Sequence, residues 1–176
     1  IQSLILWGTP ESNSCIKAVL SSLPVKWDAQ HLSMLSVQGN RPALDARTHV
    51  PLLTYPALKS AGFEVVINLA LTDASNAIAN EDRRVLEQGM LYINLPILFD
   101  QPQPAQLLAV LDLLQQYAQQ KVWLHCALNY RVSSVIYLHR VFNLGVPVSD
   151  ARQQLEQMWM PDAVWEDVIG HLYLMR

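Results

Sequence analysis

One short segment carries most of the chemistry in this chain: Val122-Trp123-Leu124-His125-Cys126-Ala127-Leu128-Asn129-Tyr130-Arg131-Val132-Ser133-Ser134. An apolar run ends in a cysteine, four residues follow, and an arginine opens a helical stretch. A tight loop between a buried strand and a helix turns backbone N–H groups and the helix N-terminus inward, which suits an oxyanion. The same field favours the thiolate, the nucleophilic form of cysteine. Arg131 supplies a planar fork for a phosphate or a similar anion. Ala127, Leu128, Asn129 and Tyr130 supply the backbone of the cradle. Ser133 or Ser134 is placed to donate to the thiolate, and His125 to orient the loop through a backbone bond. The loop has no glycine, so Asn129 takes the loop-shaping position, because asparagine tolerates positive φ at modest cost.

The elements that must hold this segment alternate in type. Residues 64–70 read as a β-branched, nearly all-apolar strand, hence central in a parallel sheet. Residues 57–61 end a helix at Gly62, and Asn80 caps a helix through Gln88 that Gly89 closes. Strands follow at 90–97 and 121–125. Between them lies an amphipathic helix over 105–118, with Leu107, Leu108, Val110, Leu111, Leu114, Tyr117 and Ala118 on one face. A helix at about 132–143, another capped by Ser149 or Asp150, and a last one opened by Pro161 complete the pattern. The expectation is an α/β fold, a mostly parallel sheet of roughly four or five strands with helices on both faces. Ligands of such sheets sit beyond the carboxyl ends of the strands, so the loops at 98–104 and 126–131 share one edge. Asn68, at the end of the central strand, is expected to pin neighbouring loops.

The chain has 176 residues and a mass of 19.9 kDa, about one domain. Hydrophobic residues make up 51%, which excludes global disorder. Only 15% are charged and the net charge is −3, against a nucleic-acid binder. No apolar run approaches the roughly 20 residues of a membrane helix. Two cysteines and five scattered histidines give neither a disulfide framework nor zinc-ligand spacing. No metal or other cofactor is expected, and a reducing, cytoplasmic compartment fits. The chain begins at Ile1, which leaves a removed N-terminal targeting segment open. Residues 1–56 read as an N-terminal βα extension or added layer on a unit at 57–176. Ser12-Asn13-Ser14-Cys15, with Val50-Pro51 downstream, loosely resembles the start of a thioredoxin-like or glutathione-transferase domain; the plainer reading is a buried Cys15. Trp159, Trp165 and Tyr173 are expected to pack in the core or at its edge, with a homodimer contact as the alternative.

His125-Cys126…Arg131 with a following serine resembles the signature of the protein tyrosine and dual-specificity phosphatase superfamily. The resemblance runs over about 57–176 and includes the 64–70 strand, Asn80-Glu81, Leu95-Pro96-Ile97 and Trp159…Pro161…Trp165. More closely, it resembles a bacterial phosphatase branch built on a domain of unknown function, with segments of the type His-Cys-Ala-x-Asn-x-Arg-Val-Ser. Some members of that branch are labelled sulfurtransferases, and its Ser-Gly-Gln-Pro start is absent here. The resemblance implies a cysteine-phosphatase-like fold and a phosphomonoesterase. Cys126 would attack phosphorus, Arg131 would hold the equatorial oxygens, and Asp100 would protonate the leaving oxygen, with Asp73 as runner-up. The substrate would be a phosphorylated small molecule or protein, with no nucleic acid or membrane as partner. The superfamily places five residues between the cysteine and the arginine, whereas this chain places four. A Cys-x4-Arg loop resembles that of rhodanese-type sulfurtransferases, where the cysteine carries a persulfide. A sulfurtransferase and a non-catalytic oxyanion-binding module are therefore the alternatives.

Overall fold

The Val-Val-Ile-Asn run of β1 (Val65–Asn68) is buried at every position, as a strand covered on both faces of a parallel sheet must be. It pairs in parallel with β2 (Leu91–Asn94) on one side and β3 (Val122–His125) on the other, giving the order β2-β1-β3. The structure is a computed structural model and describes residues 55–56, 58–60, 62–75, 77–128 and 130–175. The expected elements before Tyr55, Cys15 and Asn129 lie outside the described residues. Three strands are therefore what the described residues show of the sheet.

The strands are shorter than the apolar runs that announced them. The ladder stops at Asn68, Asn94 and His125, which stand on one line of register. Pro96 has no N–H to contribute, and beyond it Ile97 N–H reaches Leu69 O at 3.1 Å, one residue out of step with the ladder.

A parallel β-crossover-β unit is right-handed. Stepping from β1 to β2, then back across β1 to β3, therefore puts the two crossover helices on opposite faces. On one face, Val85 of α1 (Glu81–Glu87) packs with Leu58, Phe63, Val66, Met90 and Trp123. The other face is covered by α2 (Pro104–Gln116), α3 (Tyr130–Phe142) and α5 (Ala163–Leu174), which bring Leu107, Leu111, Val135 and Trp165 against Val65 and Ile67. The remaining helix, α4 (Val148–Met158), packs on α3. Tyr55, which precedes the expected boundary at 57, is buried in the same cluster as Leu58 and Phe63. No described helix is long and apolar enough to cross a membrane.

Several helix ends follow local chemistry. Gly62 (φ 85°) and Gly89 (φ 67°) end their helical segments. Phe63 N–H then donates to Leu58 O at 3.0 Å and Met90 N–H to Val85 O at 3.3 Å, a closure that needs a left-handed residue. Other ends differ from expectation. Asn80 stands at the start of α1 but is itself left-handed (φ 53°) and makes no side-chain cap bond. Neither Ser149 nor Asp150 caps α4, which begins at Val148 after Pro147; the Ser149 hydroxyl donates to Asp150 Oδ1 at 3.0 Å instead. At α5 the cap is Asp162, whose carboxylate accepts Trp165 N–H at 3.0 Å, with Pro161 one residue outside.

The packing fixes a stability contrast. Leu111, fully buried in α2, should cost about 2–5 kcal/mol when replaced by alanine. Leu86, 57% exposed on α1, should change stability by less than about 0.5 kcal/mol on the same replacement. Urea denaturation of the two variants measures both, and equal losses would contradict the core described here.

Candidate active site

Past the line of Asn68, Asn94 and His125, backbone groups lose their ladder partners and need others. The segment 68–70 finds them on both flanks. Two bonds still continue the ladder, Leu69 N–H to His125 O at 2.8 Å and Leu95 N–H to Asn68 O at 3.0 Å, and side chains supply the rest. Asn94 Nδ2 donates to Asn68 O and to Ala70 O, each at 3.0 Å. Asn68 Oδ1 accepts Ala70 N–H at 2.7 Å. From the opposite side, Arg131 Nη1 donates to Leu69 O at 3.0 Å and to Ile97 O at 2.9 Å. One arginine nitrogen thus ties together the segments that follow β1 and β2.

Cys126 directly follows β3 as a free, buried thiol. Ala127 is half-buried and Leu128 is exposed. Tyr130 opens α3, and its ring stacks on Trp159 with centroids 4.7 Å apart. Arg131 is therefore the second residue of α3. Two of its five N–H donors are used on the carbonyls; Nε and Nη2 make no hydrogen bond among the described residues. Ser133 and Ser134 are buried, and both hydroxyls donate to Tyr130 O at 3.0 Å, within their own helix. In this structure that carbonyl, not Cys126, takes both hydroxyl protons.

Asp100 is exposed in the loop after β2. Its neighbour Phe99 anchors that loop: the Phe99 carbonyl accepts from Trp165 Nε1 at 2.9 Å. The Phe99 ring lies 6.0 Å from Tyr130 and 5.6 Å from Trp159. The two loops expected on one edge are thus joined, through Phe99 with Tyr130 and through Arg131 with Ile97. Asp73 is exposed in the turn that follows β1. Trp165 is fully buried and the Tyr173 hydroxyl pairs with that of Tyr137 at 2.7 Å, so both serve packing. An open groove of about 760 Å³ runs between residues 101–104 and α5; neither Cys126 nor Arg131 lines it. Among the described residues, no three His, Cys, Asp or Glu side chains converge to hold a metal.

Glu81 is the residue that sequence reasoning passed over, taking it only as part of a helix start. It is 5% exposed, and its carboxylate accepts from Tyr55 Oη, from Asn68 Nδ2 at 2.6 Å and from Tyr92 Oη at 3.0 Å. His125 Nε2 lies 3.0 Å from Glu81 Oε1, out of line for a well-formed hydrogen bond. Burial disfavours the Glu81 charge, but His125 and the two tyrosines outweigh it and hold the carboxyl below the ordinary glutamate range. Burial and the Glu81 charge push both tyrosines up, Tyr92 to about 12, so both remain donors at neutral pH. The available signal was alternation: Asn68 and His125 end their strands on the face that α1 covers, where Val66 and Trp123 precede them.

A folded-state value below the unfolded one means that ionised Glu81 stabilises the fold above the ordinary glutamate value of about 4.3. That contribution is lost as pH falls through and below this value. Urea midpoints at about pH 7 and about pH 3.5 should therefore fall further in the parent than in Glu81→Gln. Identical pH slopes would remove the argument.

No family model and no curated protein matches the sequence. Solved structures do match. The "Putative phosphatase (DUF442)" of Shewanella putrefaciens CN-32 superposes with a TM-score of 0.64 at 25% identity, over 70% of this chain and 82% of its own. Tk-PTP in its active form superposes with a TM-score of 0.59 at 18% identity, over 69% of this chain and 85% of its own. The kinase associated phosphatase, with serine replacing its catalytic-site cysteine, gives a TM-score of 0.59 at 14% identity, over 69% and 77%. At those identities the last two speak for the fold alone. The described chain has the fold of the protein tyrosine and dual-specificity phosphatase superfamily and is similar to its bacterial DUF442 branch, as the resemblance of the His125–Ser133 segment implied.

Proposed function

We propose that this chain is a cysteine-dependent phosphatase acting on a phosphomonoester through a cysteinyl-phosphate intermediate. The observation that carries this reading is the placing of Arg131. Its Nη1 is fixed on Leu69 O and Ile97 O at the carboxyl ends of the strands, and its other donors are uncommitted among the described residues. Cys126 stands at the same edge, directly after β3. In the kinase associated phosphatase, similar in fold, a cysteine is named as the catalytic-site residue.

The chemistry follows from those positions. The Cys126 thiolate attacks phosphorus; an S–P bond forms as the P–O bond to the leaving group breaks. Asp100 gives its proton to the leaving oxygen. Water then attacks phosphorus, Asp100 takes a proton from it, the S–P bond breaks and inorganic phosphate leaves. Arg131 and the N–H groups of the 127–131 backbone stabilise the equatorial oxygens as charge builds on them. Residues 98–104 and 126–130 contain no Lys or Arg, and Leu98, Phe99 and Leu128 are exposed there. That rim fits a monoester on a weakly charged small molecule or protein better than a polyanion. The four-residue spacing between Cys126 and Arg131 favours a second reading, a sulfurtransferase with a Cys126 persulfide and no need of Asp100.

Aryl phosphate hydrolysis and cyanide-accepted sulfur transfer from thiosulfate, measured on one preparation, separate the readings. Cys126→Ser should abolish phosphate release. Asp100→Ala should slow it by about 10²–10⁴-fold and leave sulfur transfer nearly unchanged. Phosphate release that survives Cys126→Ser sinks the proposal. Sulfur transfer alone would assign the loop to persulfide chemistry, and anion binding without either activity would leave a binding module.

A further inference from the structure

Four groups from separate parts of the chain converge on the Glu81 carboxylate: Tyr55 from the helical segment before β1, Asn68 from the end of β1, Tyr92 from β2 and His125 from the end of β3. A buried carboxylate is costly unless paired and hydrogen-bonded, and one that accepts three hydrogen bonds with an imidazole 3.0 Å away is a built feature of the fold. Core filling does not need it, because the apolar cluster beside it is already formed by Phe63, Val66, Val85 and Trp123. Three of the four groups are neutral hydroxyl or amide donors. The fourth is the imidazole of the residue that immediately precedes Cys126.

We propose that Glu81 is a positioning residue for the Cys126–Arg131 loop, holding the His125 ring with its proton on Nε2 at the end of β3. An ionised carboxylate can only accept, so a hydrogen on the imidazole nitrogen 3.0 Å from Oε1 is what makes the approach attractive, although the angle is poor for a hydrogen bond. Tyr55, Asn68 and Tyr92 fix the carboxylate in turn, which leaves the ring one orientation. The His125 carbonyl is fixed by Leu69 N–H at 2.8 Å, so side chain and backbone are both set one residue before the thiol. The ionisable group facing His125 is Glu81 from α1, which in turn meets Tyr55 and Tyr92 from β2; Cys126 is next along the chain. Asp82 and Arg84 of α1 act on the tyrosines. Without the carboxylate the imidazole loses its neighbour, and the surroundings of the adjacent Cys126 thiol change with it.

This role rests on the phosphatase reading only in taking Cys126 as a reactive thiol. Its test is therefore alkylation, which needs no turnover. Iodoacetamide modification of Cys126 in the full chain, located by peptide mass, is followed against pH. Glu81→Gln should move the midpoint of that profile up by about one unit, with the high-pH plateau unchanged and the urea midpoint retained well above the assay conditions. Glu81→Asp should recover part of the shift. In a His125→Gln background, Glu81→Gln should add nothing. An unmoved midpoint, or an equal shift without His125, overturns the proposal. Should Glu81→Gln not fold, the parent protein decides: ¹⁵N shifts of His125 must show the proton on Nε2 at neutral pH, and a neutral Nδ1–H ring overturns it. Absence of phosphatase activity with the alkylation shift intact would count against the proposed function and not against this role.

Discussion

Three parallel strands stop on one line, at Asn68, Asn94 and His125, and the carbonyls just beyond that line govern what the site can be. Each would lose a hydrogen bond at the point where the chain must open into loops. Left unpaired and buried, such groups cost about 1–3 kcal/mol apiece. The protein answers with side chains. Asn94 takes the carbonyls of Asn68 and Ala70, and Arg131 takes those of Leu69 and Ile97. Alternate carbonyls along one short segment are held from opposite sides, so the loops leave the sheet in fixed directions.

Arg131 therefore has structural work. Fixing an arginine side chain costs up to about 2 kcal/mol of rotamer freedom. Its bonds to two carbonyls, charge-assisted and worth roughly 1.5–3 kcal/mol each, offset that cost during folding. The guanidinium is thereby held in place at the strand ends, the preorganisation that the proposed anion binding needs. The same bonds couple the loop after β2, which carries Asp100, to the helix that follows Cys126. Phe99, Tyr130, Trp159 and Trp165 reinforce this coupling with an aromatic cluster and the Trp165 indole bond to the Phe99 carbonyl.

The opposite face of the sheet has a different logic. There α1 covers an apolar cluster up to the strand ends, where the face turns polar. Glu81 closes that end with a charge that survives burial because His125, Asn68 and two tyrosines surround it. One face thus supplies the arginine and the other supplies the carboxylate, while β3 between them delivers His125 and Cys126. The doubly covered parallel sheet makes this possible, because its carboxyl edge is reached from both layers.

Much of this was legible in the sequence. The β-branched run at 64–70 announced a central strand because only a residue set apolar on both faces suits that place. Gly62 and Gly89 announced helix ends because a left-handed residue is needed there. The segment around Cys126 and Arg131 announced a strand end followed closely by a helix start, because both are local features of one segment. The failures were also local readings. Ser149 and Asp150 resembled caps, yet α4 already starts at Val148, and Asn80, expected to cap α1, is itself left-handed. Glu81 was invisible as a site residue because its partners lie 13, 26, 11 and 44 positions away (Asn68, Tyr55, Tyr92 and His125). The sequence alone determined which residues could do chemistry and which elements they end, since propensity and spacing act over a few residues. Only the tertiary structure decided which carbonyls Arg131 would hold and which carboxylate would face His125, since those contacts exist only once the crossovers have brought the strand ends together.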